Sequence, residues 1–199
     1  MTHCTLATKP TPRRSYAQPA TAHRNRGQNF GVRWRERAQS GHSGRMAMSD
    51  QLSIQESLYP GTTCFGCGHA NPEGLRLRSY CDGDLTVAEF TPRPEHDNGF
   101  GFLNGGIIST VLDCHGAAVV MWEADQRGWR AAPGAPLPFI TAGFEVRFLR
   151  PTLLGPAVRL VASPVSIAED EIVVEAGLEY ESKTRATMTA TWRRFRPRS

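Results

Sequence analysis

The stretch from Asn98 to Trp122 holds the residue types most suited to chemistry. It contains the pair Gly105-Gly106, followed by a run of mostly apolar residues that includes a single carboxylate, Asp113. A glycine pair at the start of a helix leaves backbone N–H groups at its positive end, where they can hold an oxyanion or polarise a carbonyl. An ionised aspartate within an apolar helix costs stability unless it has partners, which favours a role as general base or nucleophile. The alternative is a polar group that finds its partners at a subunit interface.

Apolar residues in this stretch recur at the spacing of a helix and predict one wide buried stripe. The stripe consists of Ile107, Ile108, Val111, Leu112, His115, Ala118, Val119 and Trp122. A second face carries Gly106, Ser109, Asp113 and Gly116. The side chains of that face are small or polar, so it leaves room for a ligand or a second chain beside the acid. Ser109 is therefore a candidate contact to substrate.

Two other reactive residue types follow Asp113 directly. Two residues along a helix amount to about 200° of rotation, so His115 and Asp113 cannot cooperate within one chain. We predict a packed histidine on the apolar stripe, and Cys114 as a small hydrophobic residue. The sequence has no Gly-x-Ser-x-Gly, so the nucleophile elbow of serine hydrolases is absent.

The remaining pattern predicts six strands around this helix. A short helix over 49–59 precedes strands over 75–81 and 85–91, and four more strands follow the long helix over 139–150, 157–167, 171–181 and 184–195. Alternation in the last four indicates an antiparallel sheet with one packed face, giving an α+β architecture. In the first of them, Ile140, Ala142, Phe144, Val146 and Phe148 form the apolar face. Thr141 lies on the opposite face, from which it would reach a neighbouring subunit.

The central stretch resembles the PaaI-like hotdog-fold thioesterases. Their motif is His-Gly-Gly, six residues and then an acid. Here Asn104-Gly105-Gly106, six residues and Asp113 keep the spacing, with asparagine in place of histidine. The resemblance is supported by the segments His96-Asp97-Asn98 and Phe148-Leu149-Arg150-Pro151, and it covers roughly Cys64 to Phe195. It implies the hotdog fold, in which an antiparallel sheet of about six strands wraps a long central helix.

The resemblance also implies residue roles. Asp113 corresponds to the residue that acts as general base or nucleophile, and the Gly105 and Gly106 amides would polarise the thioester carbonyl. Asn104 could help to polarise the carbonyl, since it has both a donor and an acceptor, but it cannot take up a proton. Asn98 corresponds to a position near the acyl group, and Thr141 to a residue that orients water.

Three functions are compatible with these residues. The first is hydrolysis of an acyl-CoA thioester, with no metal or cofactor, in a homodimer or homotetramer whose active sites lie between protomers. The second is a non-catalytic hotdog protein that binds acyl-CoA or a related ligand, which Asn104 favours. The third is a hydratase or dehydratase, which usually needs a histidine with an acid. Candidate cations for CoA phosphates are Arg147, Arg150, Arg159, Arg193 and Arg194.

Charge divides the chain of 199 residues into two parts. Residues 1–45 carry nine basic residues and one acidic residue, whereas the remainder carries 14 basic and 18 acidic residues. We therefore expect a disordered basic extension over 1–47, or translated sequence upstream of a start at Met46 or Met48, and a domain over 48–199. A transit peptide or an arm for an anionic surface are the alternatives for the extension. The acidic remainder argues against nucleic acid as a partner.

The five cysteines, an odd number, argue against a secreted disulfide framework. The sequence has no run of 18 or more apolar residues, so it predicts no membrane span, and we expect a cytoplasmic protein. Cys64-Phe65-Gly66-Cys67 is a Cys-x-x-Cys pair, but a structural zinc site usually needs four ligands. His69 or Cys81 could complete one only if the fold brought them there. The default expectation is a buried turn with free thiols and no metal.

Overall fold

The computed structural model describes residues 52–197, so the predicted extension over 1–47 and the first residues of the predicted domain lie outside the described part. Two α-helices, a 3₁₀ helix and six strands follow in chain order. They are α1 (Ile54–Leu58), β1 (Ser79–Asp82), β2 (Leu85–Phe90), the 3₁₀ helix (Pro94–His96), α2 (Gly105–Gln126), β3 (Phe139–Phe148), β4 (Val158–Ile167), β5 (Glu171–Tyr180) and β6 (Lys183–Arg194).

The strands form one antiparallel sheet in the order β1-β2-β4-β5-β6-β3, and α2 packs across its inner face. The α+β architecture with one long helix against six strands is therefore confirmed. β1 and β3 are the two edges of the sheet. Residues from α2 reach both edges, which positions the polar groups described below.

The core lies between α2 and the central strands. Inward side chains alternate along β5 and β6, as the sequence predicts, and include Ile172, Val174, Leu178, Met188 and Trp192, all almost fully buried. Gly116 contacts this layer, because a Cβ atom there would lie 2.4 Å from Cη2 of Trp192. The prediction that Gly116 belongs to an open face was therefore wrong: its missing side chain makes room for Trp192.

Burial around α2 extends beyond the predicted stripe. Cys114, Val120 and Met121 are also buried, whereas Ile107 and Trp122 are only half-buried. The reason is that the loop between α1 and β1 covers the side of α2 that faces away from the sheet, as the contact of Gly66 with Cys114 shows. By length and composition α2 could also cross a membrane, but 56% of its most apolar window is buried inside the protein, as in the core helix of a globular fold.

β3 differs most from its prediction. Phe139 and Val146 pack against the core, but Ile140, Phe144 and Phe148 are 43%, 49% and 57% exposed, so much of the apolar surface of β3 is uncovered within this chain. A bulge between Thr141 and Gly143 also changes the alternation, since Thr141 pairs with Trp192 and Phe144 pairs with Ala190. Thr141 therefore shares a face with Phe144 and points towards α2. The prediction that it lies on the opposite face was wrong, because one extra residue reverses the pleat.

Candidate active site

Asp113 lies on α2 at the β3 edge of the sheet. Its carboxylate is half-buried, and the Thr141 hydroxyl donates a hydrogen bond of 3.0 Å to Oδ1. Thr141 is the one hydrogen-bond partner that residues 52–197 give this carboxylate. The acid and the threonine proposed from the sequence are thus brought together, although 28 residues separate them.

The surroundings of Asp113 favour its protonated form. Burial raises the pKa of the carboxyl group, the hydrogen bond from Thr141 offsets part of this rise, and the negative charge of Cys64 adds to it. A carboxylate with a raised pKa is a stronger base than an exposed one. Asp113 therefore combines partial access with increased basicity, which suits proton abstraction from water.

Asn104 caps the start of α2. Its Oδ1 accepts a hydrogen bond of 2.7 Å from the Gly106 N–H, in the usual N-cap arrangement. The Gly105 and Ile107 N–H groups, by contrast, donate to no group among residues 52–197. The end of the helix therefore offers two unbonded N–H groups, and the Gly106 N–H predicted to contact a carbonyl is held by Asn104.

Asn98 stabilises the loop that precedes α2. Its Oδ1 accepts hydrogen bonds from the N–H groups of Phe100 (2.9 Å) and Phe102 (3.4 Å). Asp97 does the same for Gly99 and Gly101, both at positive φ, where glycine is favoured. The Asn98 side-chain oxygen is thus used within the loop, and a position of Asn98 near the acyl group stays a prediction.

Ser109 and Gly105 lie along the same side of the helix start. The Ser109 hydroxyl donates 2.8 Å to the Gly105 carbonyl, one turn earlier. A Cβ atom at Gly105 would lie 3.2 Å from the Phe148 ring, so β3 closes over the first residue of α2. No sequence pattern indicates this contact, since alternation places Phe148 on the apolar face of its strand. A substrate role for Ser109 remains a prediction.

His115 lies on the other side of α2. It is fully buried, its Nδ1 is 2.9 Å from the Ser79 hydroxyl, and its Nε2 is 3.1 Å from the Thr86 carbonyl. Burial lowers the pKa of His115 to about 3, so the ring is neutral, with Nε2 donating to Thr86 and Nδ1 accepting from Ser79. The prediction of a packed histidine outside the site is confirmed.

Several candidate cations already have partners. Arg147 pairs with Glu145 at 2.7 Å and Arg193 with Glu171 at 2.6 Å. Arg150 and Arg194 donate to the carbonyls of Thr184 and Arg130. The ion pairs of Arg147 and Arg193 are at exposed positions, where such pairs are worth about 0–1 kcal/mol, so they leave these two arginines available to a phosphate. Arg194 is half-buried, with its guanidinium over the Phe139 ring.

Comparison with known proteins finds relatives by structure alone. No protein-family model matches the chain, and no curated protein matches its sequence. A phenylacetic acid degradation-related protein from Ralstonia eutropha JMP134 superimposes with a TM-score of 0.55 at 20% identity, over 71% of this chain and 98% of that one. Zebrafish thioesterase superfamily member 2 gives 0.55 at 16%, over 73% and 100%. The PaaI protein of the E. coli phenylacetic acid degradation operon gives 0.51 at 18%, over 61% and 80%.

These similarities establish the fold. The chain spans nearly the whole of the first two structures, and the shared part is one long helix on a six-stranded antiparallel sheet. The protein therefore has the hotdog fold that its sequence predicts.

Proposed function

We propose that this protein hydrolyses acyl-CoA thioesters, as a hotdog thioesterase of the PaaI-like type. The observation that carries the proposal is the half-buried Asp113 at the open β3 edge, hydrogen-bonded to Thr141, on a helix whose start carries unbonded N–H groups. Thioesterase superfamily proteins are among the structures with this fold. Fold alone does not define a reaction, so the weight rests on the side chains.

In the proposed mechanism Asp113 removes a proton from water, and the water oxygen attacks the thioester carbonyl carbon. The negative charge that develops on the carbonyl oxygen is stabilised by N–H groups at the start of an α2 helix, with Gly105 the best candidate because its N–H is unbonded. Gly105 lies eight residues before Asp113, about 12 Å along one helix, so the helix start that meets this carbonyl belongs to a second protomer. The C–S bond then breaks, the acid is released, and the CoA thiolate takes a proton. Direct attack by the Asp113 carboxylate, through an anhydride that water hydrolyses, is the second route.

Thr141 positions Asp113 in this mechanism. Its hydroxyl donates to Oδ1, which leaves Oδ2 for the water molecule. Asn104 contributes by fixing the helix start rather than by proton transfer. Asn98 and Ser109 are proposed to contact the acyl group or its carbonyl.

The open β3 edge also supports a homodimer or homotetramer. The apolar side chains of β3 are exposed beside Asp113, and an exposed apolar edge strand is a surface that proteins usually cover. A second copy pairing at β3 would cover this edge and enclose Asp113. The proposed active site therefore lies between protomers.

A second function is favoured by Asn104. Because its side chain occupies the Gly106 N–H, a carbonyl oxygen at the helix start has fewer donors than the sequence motif suggests. Such a site could bind an acyl-CoA without hydrolysing it. Binding without turnover is the alternative that the following experiment separates.

The test measures hydrolysis of short, medium and aryl acyl-CoAs by the intact protein and by Asp113→Asn. Free CoA is followed by chromatography, because the five cysteines of the chain would react with a thiol reagent. Loss of the base should lower turnover about 10²- to 10⁴-fold. Asp125→Asn, on the same helix and paired with Arg130, is the matched control and should keep full activity.

The outcomes distinguish the two functions. Turnover that falls in Asp113→Asn alone supports the thioesterase. Equal turnover in all three forms removes Asp113 from the mechanism. Saturable acyl-CoA binding without turnover by the intact protein supports the binding protein instead.

A further inference from the structure

Three cysteine sulfurs converge on one side of α2. The Sγ atoms of Cys64, Cys67 and Cys114 all lie within 4.8 Å of one another. Cys64 and Cys67 come from the turn after α1, and Cys114 comes from α2, 50 residues after Cys64. The predicted alternatives His69 and Cys81 are not members of the cluster. The sequence suggested a turn with free thiols, and the fold adds a third thiol to it.

The spacing of the sulfurs fits one metal ion. The Sγ atoms of Cys64 and Cys114 are 3.7 Å apart. Two thiolates bound to one tetrahedral zinc ion, at about 2.3 Å each, lie about 3.8 Å from each other. The distance is too long for a disulfide, whose sulfurs lie about 2.05 Å apart. The distance fits two ligands of one ion, and it also fits a hydrogen bond between two free thiols.

Two glycines make this convergence possible. A Cβ atom at Gly66 would lie 2.3 Å from Sγ of Cys114, so any larger residue would displace the Cys114 side chain. A Cβ atom at Gly68 would lie 2.4 Å from the backbone nitrogen of Cys64. The Gly68 N–H also donates 2.8 Å to the Cys64 carbonyl, which closes the turn. The missing side chains of these two glycines therefore allow the three sulfurs to lie close together.

The thiolate is the form of cysteine that binds metal. Cys64 is exposed and Cys114 is buried, so the cluster can be entered from solvent on the Cys64 side while its base is anchored in the core.

We propose that Cys64, Cys67 and Cys114 bind a zinc ion through three thiolates, with a fourth position open to water on the Cys64 side. Thiolates prefer soft and borderline metals, and zinc accepts a tetrahedral set with one exchangeable position. Binding releases the three thiol protons to solvent. The ion ties the turn after α1 to α2 at the residue next to Asp113, so it stabilises the helix that carries the proposed active site.

The proposal is tested on the intact protein by zinc alone. Protein reduced with a phosphine and dialysed against zinc should retain one zinc ion per chain, measured by elemental analysis. Cobalt in place of zinc should give the visible bands of tetrahedral cobalt together with thiolate-to-cobalt charge transfer in the near ultraviolet. Zinc should also raise the melting temperature. None of these readouts depends on thioester hydrolysis, so failure of the proposed function leaves this test intact.

Substitutions assign the ligands. Cys64→Ser should weaken zinc binding at least about tenfold and remove part of the charge-transfer absorption, and Cys67→Ser should do the same. Cys64 is exposed, so its substitution leaves the core in place. Cys81→Ser, in β1 and outside the cluster, is the matched control and should bind zinc like the intact protein. Melting curves of the metal-free forms show that each variant is folded.

Three results would overturn the proposal. The first is a reduced, folded protein that retains no zinc at micromolar free metal. The second is zinc binding that Cys64→Ser and Cys67→Ser leave unchanged. The third is cobalt bound without charge-transfer absorption, which would place the metal on oxygen or nitrogen ligands. A disulfide found by mass in air-exposed protein, together with no zinc binding after reduction, belongs with the first result.

Discussion

Two ionisable residues of α2 lie at opposite edges of the sheet and differ in burial and in hydrogen bonding. His115 points towards β1 and β2, and Asp113 points towards β3. The two positions differ by about 200° around the helix, so each reaches its own edge. At the β1 edge the polar groups are buried and hydrogen-bonded. At the β3 edge the acid is half-buried, and apolar side chains of the strand beside it are exposed.

At the β1 edge, every polar atom of the buried network has a partner. The Gln55 side chain donates a hydrogen bond of 3.1 Å to the Ser79 hydroxyl and accepts one of 2.9 Å from the Ser79 backbone N–H. The same hydroxyl contacts His115, whose other nitrogen contacts the Thr86 carbonyl. Such a closed network fixes one arrangement of α1, α2 and two strands, and it leaves nothing for a ligand to bind.

At the β3 edge, the groups are incomplete. Within residues 52–197, Asp113 has the single hydrogen-bond partner Thr141, and Ile140, Phe144 and Phe148 of β3 are exposed. An incompletely partnered acid beside an uncovered apolar strand costs the isolated chain stability. A second chain or a substrate can recover that cost. The difference fits the proposal that the β3 edge binds substrate and a second protomer, whereas the β1 edge stabilises the fold.

The largest expected effect on stability comes from a substitution that breaks the hydrogen-bond network at the β1 edge. His115→Ala removes a fully buried ring and leaves the Ser79 hydroxyl and the Thr86 carbonyl unpaired. The free energy of unfolding should fall by about 2–4 kcal/mol, from the cavity and the lost hydrogen bonds. Urea unfolding followed by circular dichroism measures it.

Asp113→Asn is the counterpart on the other edge. Replacing a desolvated carboxylate with a neutral amide should leave the free energy of unfolding unchanged or raise it. Equal losses in the two variants would contradict the contrast between the edges.

The next effect tests how closely α2 lies on the sheet. Gly116→Ala places a methyl group 2.4 Å from the Trp192 ring. Overpacking should destabilise the protein by about 1–2 kcal/mol even though alanine favours helices. Gly143→Ala in β3, where nothing lies within 4 Å of the added atom, is the control and should change little. The comparison is made by thermal unfolding, and a fully stable Gly116→Ala would mean that α2 lies farther from β6.

A smaller effect separates capping from catalysis at the start of α2. Asn104→Ala loses the hydrogen bond to the Gly106 N–H and should cost about 1 kcal/mol of unfolding free energy. Asn104→Ser keeps a capping oxygen and should keep stability. Turnover of an acyl-CoA by Asn104→Ser then reports on the amide itself. Turnover equal to that of the intact protein fits a pure cap, and a large loss assigns the amide a role with substrate.

The sequence predicted the fold well because local patterns specify it. The period of α2, the alternation in β5 and β6, and the spacing of Asp113 from Gly105 each depend on neighbouring residues. The packed role of His115 also followed from helix geometry alone. These features need no knowledge of distant contacts.

The wrong predictions concern features that are set by contacts between residues far apart in the sequence. The bulge after Thr141 is set by the register with β6, and no residue type in β3 announces it. Gly116 was expected to be open because its contact, Trp192, lies 76 positions later in the printed sequence. The contact of Cys114 with Cys64 was not predicted either, because 50 positions separate the two residues. The exposed face of β3 looks like a core strand in sequence because both kinds of surface are apolar.

The smallest expected effect concerns the one contact that links the β3 edge to the acid. Thr141→Val keeps the shape of the side chain and removes the hydroxyl that donates to Asp113. The bond is exposed, so the free energy of unfolding should change by less than about 1 kcal/mol. Turnover should fall about fivefold, because Asp113 is then free to turn away from water, and Thr141→Ser should restore it. The rescue is the informative measurement: a role through packing alone would be kept by valine and lost by serine, and that pattern would remove Thr141 from the positioning of Asp113.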